Sequence, residues 1–279
     1  MTTAILRSRT SRAVIWVSLV AMLVIYAFPF VYLVLTSFKP RSEAVAVPPT
    51  LLPVQWTLEN YASAISGFGV LQSFGNSIQT ALISTTLALV LAVPAAYAAT
   101  RFRLRFGMIF LFAALVTRMI PPVALGVPLS TMFAGLGLRD SVVALAIAHT
   151  TLSLPLAIWL LLGFFEAVPV QIEEAAQVDG CSRWTAFRRV VLPLTGGGIA
   201  VAGIFAFLTS WNEFLFALLM TSLNSRTTPI VIANFQTQFN LDWGPMTALA
   251  TLYSLPVIAF TLLLQRHIVS GMTLGAVKG

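Results

Sequence analysis

Six apolar runs, at 14–37, 74–99, 108–133, 141–165, 194–221 and 244–265, set the first limit on what this chain can fold into. Runs of about 20 residues or more are long enough to cross a hydrocarbon core as helices. No water is present in lipid to satisfy backbone N–H and C=O groups, so a helix that satisfies them internally is the expected form. A membrane β-barrel would need short strands of alternating character, a pattern the sequence lacks. Charged residues make up 9% of the chain, against roughly 25% in soluble domains, which excludes a water-soluble fold. The expected architecture is all-α and polytopic, with six transmembrane helices.

The third run is interrupted by Arg118 and by Pro121-Pro122. Proline removes a backbone donor and clashes with the preceding turn, so a bent or broken helix covered by its neighbours is expected there. The first run follows Arg7, Arg9 and Arg12. It exceeds a signal-peptide core and lacks a small-residue cleavage site, so it is expected to be a retained anchor.

Arginine placement orients the spans. With the N-terminus inside, the inner regions hold Arg7, Arg9, Arg12, Arg101, Arg103, Arg105, Arg183, Arg188, Arg189, Arg266 and Lys278. The outer regions hold Lys39, Arg41, Arg139 and Arg226. The positive-inside rule then puts both termini in the cytoplasm. Residues 1–13 form an inner N-terminus, 14–265 the transmembrane domain and 266–279 an inner tail. The longest outer link, 38–73, contains Leu58–Ile65, expected as a short interfacial helix. The outer link 222–243 contains Thr228–Gln236, expected to form a short helix or to re-enter the membrane surface. The net charge of +7 sits beside the apolar runs rather than among aromatics on a nucleic-acid-binding surface, so no nucleic-acid partner is expected.

The inner loop 166–193 concentrates charge. Four of the nine acidic residues lie in it (Glu166, Glu173, Glu174 and Asp179), together with Arg183, Arg188 and Arg189. Glu173–Asp179 is built of helix formers and ends at Gly180, a natural terminator. Ser182 is placed to cap a second short helix running to Val190, and Pro193 suits the first turn of the next span. A helix-turn-helix across the inner membrane face is expected. Ala175 and Ala176 give it a shallow surface, and Glu174 and Asp179 are candidates to lock the turn to backbone donors or to Arg183 and Arg188. Trp184 and Phe187 mixed with charges, on a loop too short for a core of its own, point to an interface. The bland alternative is a loop whose charges simply face water.

Glu174-Ala175-Ala176-Gln-Val-Asp179-Gly180, followed by Leu192-Pro193, resembles the EAA motif of permease subunits of bacterial ABC importers. Further landmarks resemble the MalG-like permeases of the carbohydrate-uptake branch: Asn76-Ser77, Pro94–Tyr97, Pro121-Pro122, Leu136–Leu138, Trp211-Asn212, Asp242–Gly244 and the tail 265–279. The resemblance implies the ABC importer type I permease fold. It implies that Glu174, Ala175, Ala176, Asp179, Gly180, Arg183, Trp184 and Phe187 couple the subunit to a cytoplasmic ATPase. It also implies a heterodimeric assembly with a second related permease, a dimer of ATP-binding subunits and an extracytoplasmic substrate-binding protein. ATP and magnesium would be bound by the partner ATPase subunits, and no cofactor by this chain. Cys181, the single cysteine, stands where a small residue is usual, excludes an internal disulfide, and is expected to pack rather than react.

Polar groups in spans are costly and face a bundle interior or cavity. In span five, Phe207, Ser210, Asn212 and Phe216 are candidates for the sugar path, against the alternative of helix-helix packing. Arg118 is expected to pair with an acid of the partner permease or to snorkel to an interface. Asp140 is expected to cap span four. His149 and His267 lack metal-site grouping, and no phosphate-binding Gly-rich loop is present, so neither metal binding nor catalysis is expected. The leading function is import of a mono-, di- or oligosaccharide across the cytoplasmic membrane by alternating access. Uptake of glycerophosphodiesters or polyols is the alternative within the class. Outside it stand an ion-coupled secondary transporter, for which Glu213 is the one firm membrane acid, and an intramembrane enzyme built on His149 and Ser153, which lacks a third orienting acid.

Overall fold

The computed structural model describes residues 9–67, 69–102, 107–235 and 242–274, and they are all-α. In chain order the helices are α1 (Arg9–Ser37), α2 (Arg41–Ala44), α3 (Glu59–Ser66), α4 (Val70–Arg101), α5 (Gly107–Val116), α6 (Pro122–Gly135), α7 (Val142–Ala167), α8 (Val170–Val178), α9 (Arg183–Ala186), α10 (Leu192–Leu194), α11 (Gly196–Trp211), α12 (Leu215–Met220), α13 (Thr228–Asn234) and α14 (Trp243–Leu274). Within α1, α4, α7 and α14 lie four stretches long and apolar enough to cross a membrane, and two bent pairs bring the total to as many as six. Arg7, Arg103, Arg105, Gln236 and Lys278 lie outside the described residues.

Both bent pairs trace to local chemistry. Span three breaks between α5 and α6 by 98°, where Ile120 and Pro121 are both extended. The residue before a proline is pushed out of the helical region, and Pro121-Pro122 does this twice. The other bend, of 73°, lies at Thr195. Pro193 lies in the first positions of the single turn α10, and the expected continuous span 194–221 is instead α11, a break at Asn212–Phe214, and α12.

The chain divides into two compact units: Met1–Gly69 with Ile232–Ser254, and Val70–Val231 with Leu255–Gly279. In the first unit the link after α1 is knotted by buried polar groups. Asn60, on α3, donates to Ser37 O at 2.9 Å and Lys39 O at 2.7 Å. Lys39 is buried, donates to Thr50 O and lies 4.9 Å from the Tyr32 ring centre. Hydrogen bonds from Thr50 and from the Val54 N–H hold the Glu43 carboxyl below its ordinary range. A short helix does form in each of the two links where one was expected: α3 falls on 58–65 and α13 on 228–236.

In the second unit α4, α7 and α11 pack together. The buried face of α4 is lined by small residues, Ala81, Ala88, Ala92 and Ala96, which let backbones approach closely where apolar lipid provides no driving force between helices. A Cβ at Gly198 on α11 would sit 2.2 Å from the Phe164 ring of α7. Only glycine permits that approach. One apolar cluster contains Tyr97, Leu161, Phe165, Phe187 and Val191. A second contains Phe133, Leu145, Phe216, Met220 and Ile230.

Candidate functional site

The turn between α8 and α9 takes its shape from backbone hydrogen bonding. Gly180 N donates to Gln177 O at 3.1 Å and Cys181 N to Ala176 O at 3.0 Å, the paired closure of a Schellman helix end. Gly180 stands at φ +89° with open space around its absent Cβ. The requirement for glycine there is conformational, not steric. Ser182 then caps α9 as expected: its Oγ accepts from Thr185 N at 3.2 Å. The second helix runs through α9 into a wide π turn at Phe187–Val191 before α10.

Glu174, Ala175, Asp179, Gly180, Arg183 and Trp184 are exposed and Ala176 is half-buried. Phe187 departs from expectation. It is buried in the apolar cluster, with its ring 4.4 Å from Tyr97, because the turn carries it back under the bundle while Trp184 stays 67% exposed. The Arg183 guanidinium lies 5.1 Å from the Phe102 ring centre. Trp184, Thr185, Arg188 and Arg189 line an open cavity of about 410 Å³. The expected lock of Glu174 and Asp179 to Arg183 or Arg188 does not form among the described residues.

The acid that fastens this element is its neighbour, Glu173, which sequence reasoning passed over. Glu173 is the one buried residue of α8. Its carboxylate lies 3.1 Å from Arg101 Nε at the end of α4 and accepts a hydrogen bond from Tyr97 Oη. Arg101 also donates to Val168 O, just past α7, at 2.8 Å.

The candidate path residues of span five separate. Ser210 is buried and its Oγ shares a 2.8 Å hydrogen bond with His149 Nδ1. His149 Nε2 lies 3.1 Å from Glu213 Oε2, skewed from a straight hydrogen bond. The same carboxylate accepts from Phe216 N at 2.8 Å and Ala217 N at 3.1 Å, capping α12. Phe207 is buried, stacked 5.6 Å from Trp211 and 4.5 Å from Phe260, and Phe216 is fully buried. Asn212 alone of the four is exposed, its amide donating to Leu208 O at 3.0 Å. Ser153 bonds backbone carbonyls, His149 O and Thr150 O, rather than the His149 ring.

On the link between α6 and α7 the cap of α7 is Ser141, not Asp140. Asp140, at φ +55°, turns to the link after α12 and accepts from Ser222 N, Leu223 N, Asn224 N and Ser225 N at 2.8–3.1 Å and from Ser225 Oγ at 2.7 Å. Burial works against its charge, but the Ser225 hydroxyl and these N–H groups hold its carboxyl far below the ordinary range. From α4, Asn76 donates to Asn224 O at 2.8 Å and Arg226 O at 3.0 Å. Among the described residues no three His, Cys, Asp or Glu side chains group as a metal site.

The family described as binding-protein-dependent transport system inner membrane component matches residues 86–274. A probable ABC transporter permease of Sinorhizobium fredii is 37% identical over 272 residues, 97% of this chain and 98% of the relative. A trehalose transport system permease of Mycobacterium tuberculosis is 37% identical over 272 residues, 96% of this chain and 98% of the relative. A chain in the crystal structure of a bacterial ABC transporter that imports the acidic polysaccharide alginate superposes with a TM-score of 0.78 at 20% identity, covering 93% of this chain and 98% of that one.

Proposed function

The chain belongs to the family of binding-protein-dependent transport system inner membrane components, and from that premise we propose how it works as the membrane permease subunit of an ATP-driven carbohydrate importer. It is a transporter subunit of the type I permease fold, not a catalytic chain. Trehalose transport by a relative 37% identical over nearly the whole chain supports a sugar as cargo, and polyol-like cargo is the second choice within the class.

In this reading α8 is the coupling helix. It enters a cleft of a cytoplasmic ATPase, presenting Glu174, Ala175, Ala176, Asp179 and Gly180, with Arg183 and Trp184 at the rim and Phe187 holding the turn from behind. A second, related permease completes the passage, a dimer of ATPase subunits binds ATP and magnesium, and an extracytoplasmic binding protein delivers the sugar. Both termini and the α8–α9 turn face the cytoplasm, where the arginines concentrate. Nucleotide and sugar each favour a different global state, which is what alternating access requires. Asn212 is the path residue positioned to meet sugar, while Phe207, Ser210 and Phe216 shape the wall behind it.

One observation carries this reading: an exposed helix with an alanine face, closed by a glycine turn, inside a chain otherwise poor in charge. Cysteines at Ala175 and Ala176 should crosslink to the ATPase in the assembled complex. If they never capture it, or if they react with impermeant reagents from the outer face of intact cells, the reading fails.

A further inference from the structure

Of the residues of α8, only Glu173 is buried, and its carboxylate makes the polar attachment of this helix to α4. The fastening is directional. The Glu173 carboxylate meets Arg101 Nε at 3.1 Å and Tyr97 Oη, two donors one turn apart on α4. Arg101 reaches on to Val168 O, and Tyr97 packs against Phe165 and Phe187. An apolar clamp could slide along a helix; a buried carboxylate held by a guanidinium and a phenol at fixed positions cannot do so without leaving charge unpaired.

α4 continues from this point for 32 residues, about 48 Å at a rise of about 1.5 Å per residue. Its opposite end is also fixed by polar bonds. Gln72 donates to Asn224 O at 3.0 Å, Asn76 donates to Asn224 O and Arg226 O, and Ser77 Oγ accepts from Thr228 N at 2.8 Å. Asp140 closes the same loop from its other side. Between the two ends, α4 is packed by alanines against its neighbours, with the fully buried Ala92 and Ala96 on either side of Pro94.

We propose that Glu173 and Arg101 are positioning residues that join α8 to α4, and that α4 carries displacement of α8 to the loop 221–228 at the far end of the bundle. The proposal rests on the reading of α8 as the ATPase-docking helix. Glu173 faces inward and Glu174 faces outward, so attachment to the bundle and attachment to the ATPase are separable in adjacent residues.

The test uses the assembled complex with Cys181→Ser and a fluorophore on Leu223→Cys, an exposed position in the loop. ATP with vanadate should shift its emission in the parent complex. In Glu173→Gln that shift should fall about tenfold, a coupling loss of ordinary size. In the same variant Ala175→Cys should still crosslink to the ATPase, and basal ATP hydrolysis should stay within about twofold. A full emission shift in Glu173→Gln overturns the proposal. So does loss of the Ala175 crosslink in that variant alone, which would make Glu173 part of the docking surface. If Glu173→Gln does not accumulate in the membrane, Arg101→Lys serves in its place. That variant keeps the charge but cannot hold Glu173 and Val168 together, and an undiminished shift there overturns the proposal equally. Absence of the Ala175 crosslink in the parent complex is a separate result, which removes the docking reading first.

Discussion

The α8–α9 turn and the His149–Ser210–Glu213 cluster use polar residues in opposite ways. At the turn, Glu174, Asp179 and Arg183 point outward and are exposed, and one acid, Glu173, is turned in to hold the element. In the membrane cluster almost every polar atom is consumed within the subunit: Ser210 by His149, and Glu213 by His149 and two α12 N–H groups. The difference separates polar groups left at the surface from polar groups used in packing. Polar groups exposed on a short element are free for a partner, whereas those satisfied inside a span hold helices to one another.

The contrast breaks most readily at Glu213. Glu213→Leu removes the partner of a fully buried histidine and the cap of α12, and should cost roughly 3 kcal/mol, read as a lower melting temperature in detergent. The double variant with His149→Leu should recover part of the loss. A Glu213→Leu subunit as stable as its parent would show that Glu213 is not holding α7 to the break between α11 and α12. Gly180→Val forces a branched residue to a positive φ and should cost about 1–2 kcal/mol, confined to the turn. Membrane insertion should persist while ATP turnover uncouples from uptake; loss of insertion would assign the turn to folding instead.

Asn212→Ala sharpens the comparison from the other side. An exposed residue bonded only to its own helix should change stability by less than about 0.5 kcal/mol, so a changed uptake rate would report contact with cargo. Unchanged uptake kinetics would strike Asn212 from the path. The smallest effect concerns pH at the loop 221–228. Asp140 is lowered in the folded state, so its contribution is complete above the ordinary carboxylate value of about 4 and is lost as pH falls from there toward the lowered one. The protection of amides at 221–228, measured relative to their intrinsic pH-dependent exchange rates, should therefore be flat from about pH 8 to pH 5 as far as Asp140 governs it. Loosening of the loop within that range would contradict this account of the bonds to Asp140.

Local features were legible in the sequence, and features set by distant neighbours were not. The end of α8 at Gly180, the Ser182 cap and the break at Pro121-Pro122 depend on residues adjacent in the chain, and each appears where the local chemistry demands it. Glu173 and Glu174 are indistinguishable by composition. Which of them faces inward depends on Arg101, 72 positions away from Glu173. Likewise Ser210 reads as a free hydroxyl until His149, 61 positions away, is placed beside it. Asp140 directly precedes a helix start and reads as its cap, but at positive φ its side chain finds denser donors in another loop. A signal was available in one case: an arginine closing a long apolar helix invites a search for its acid.

The π turn at Phe187–Val191 holds a surplus residue. A π turn absorbs one residue beyond the α repeat as a local bulge, so deleting one there would close the bulge and leave Arg183 and Trp184 near their present bearing relative to Leu192. The bearing of Arg183 and Trp184 is thus buffered against a change of one residue inside the π turn, where a change in the regular helix beside it would swing them by about 100°.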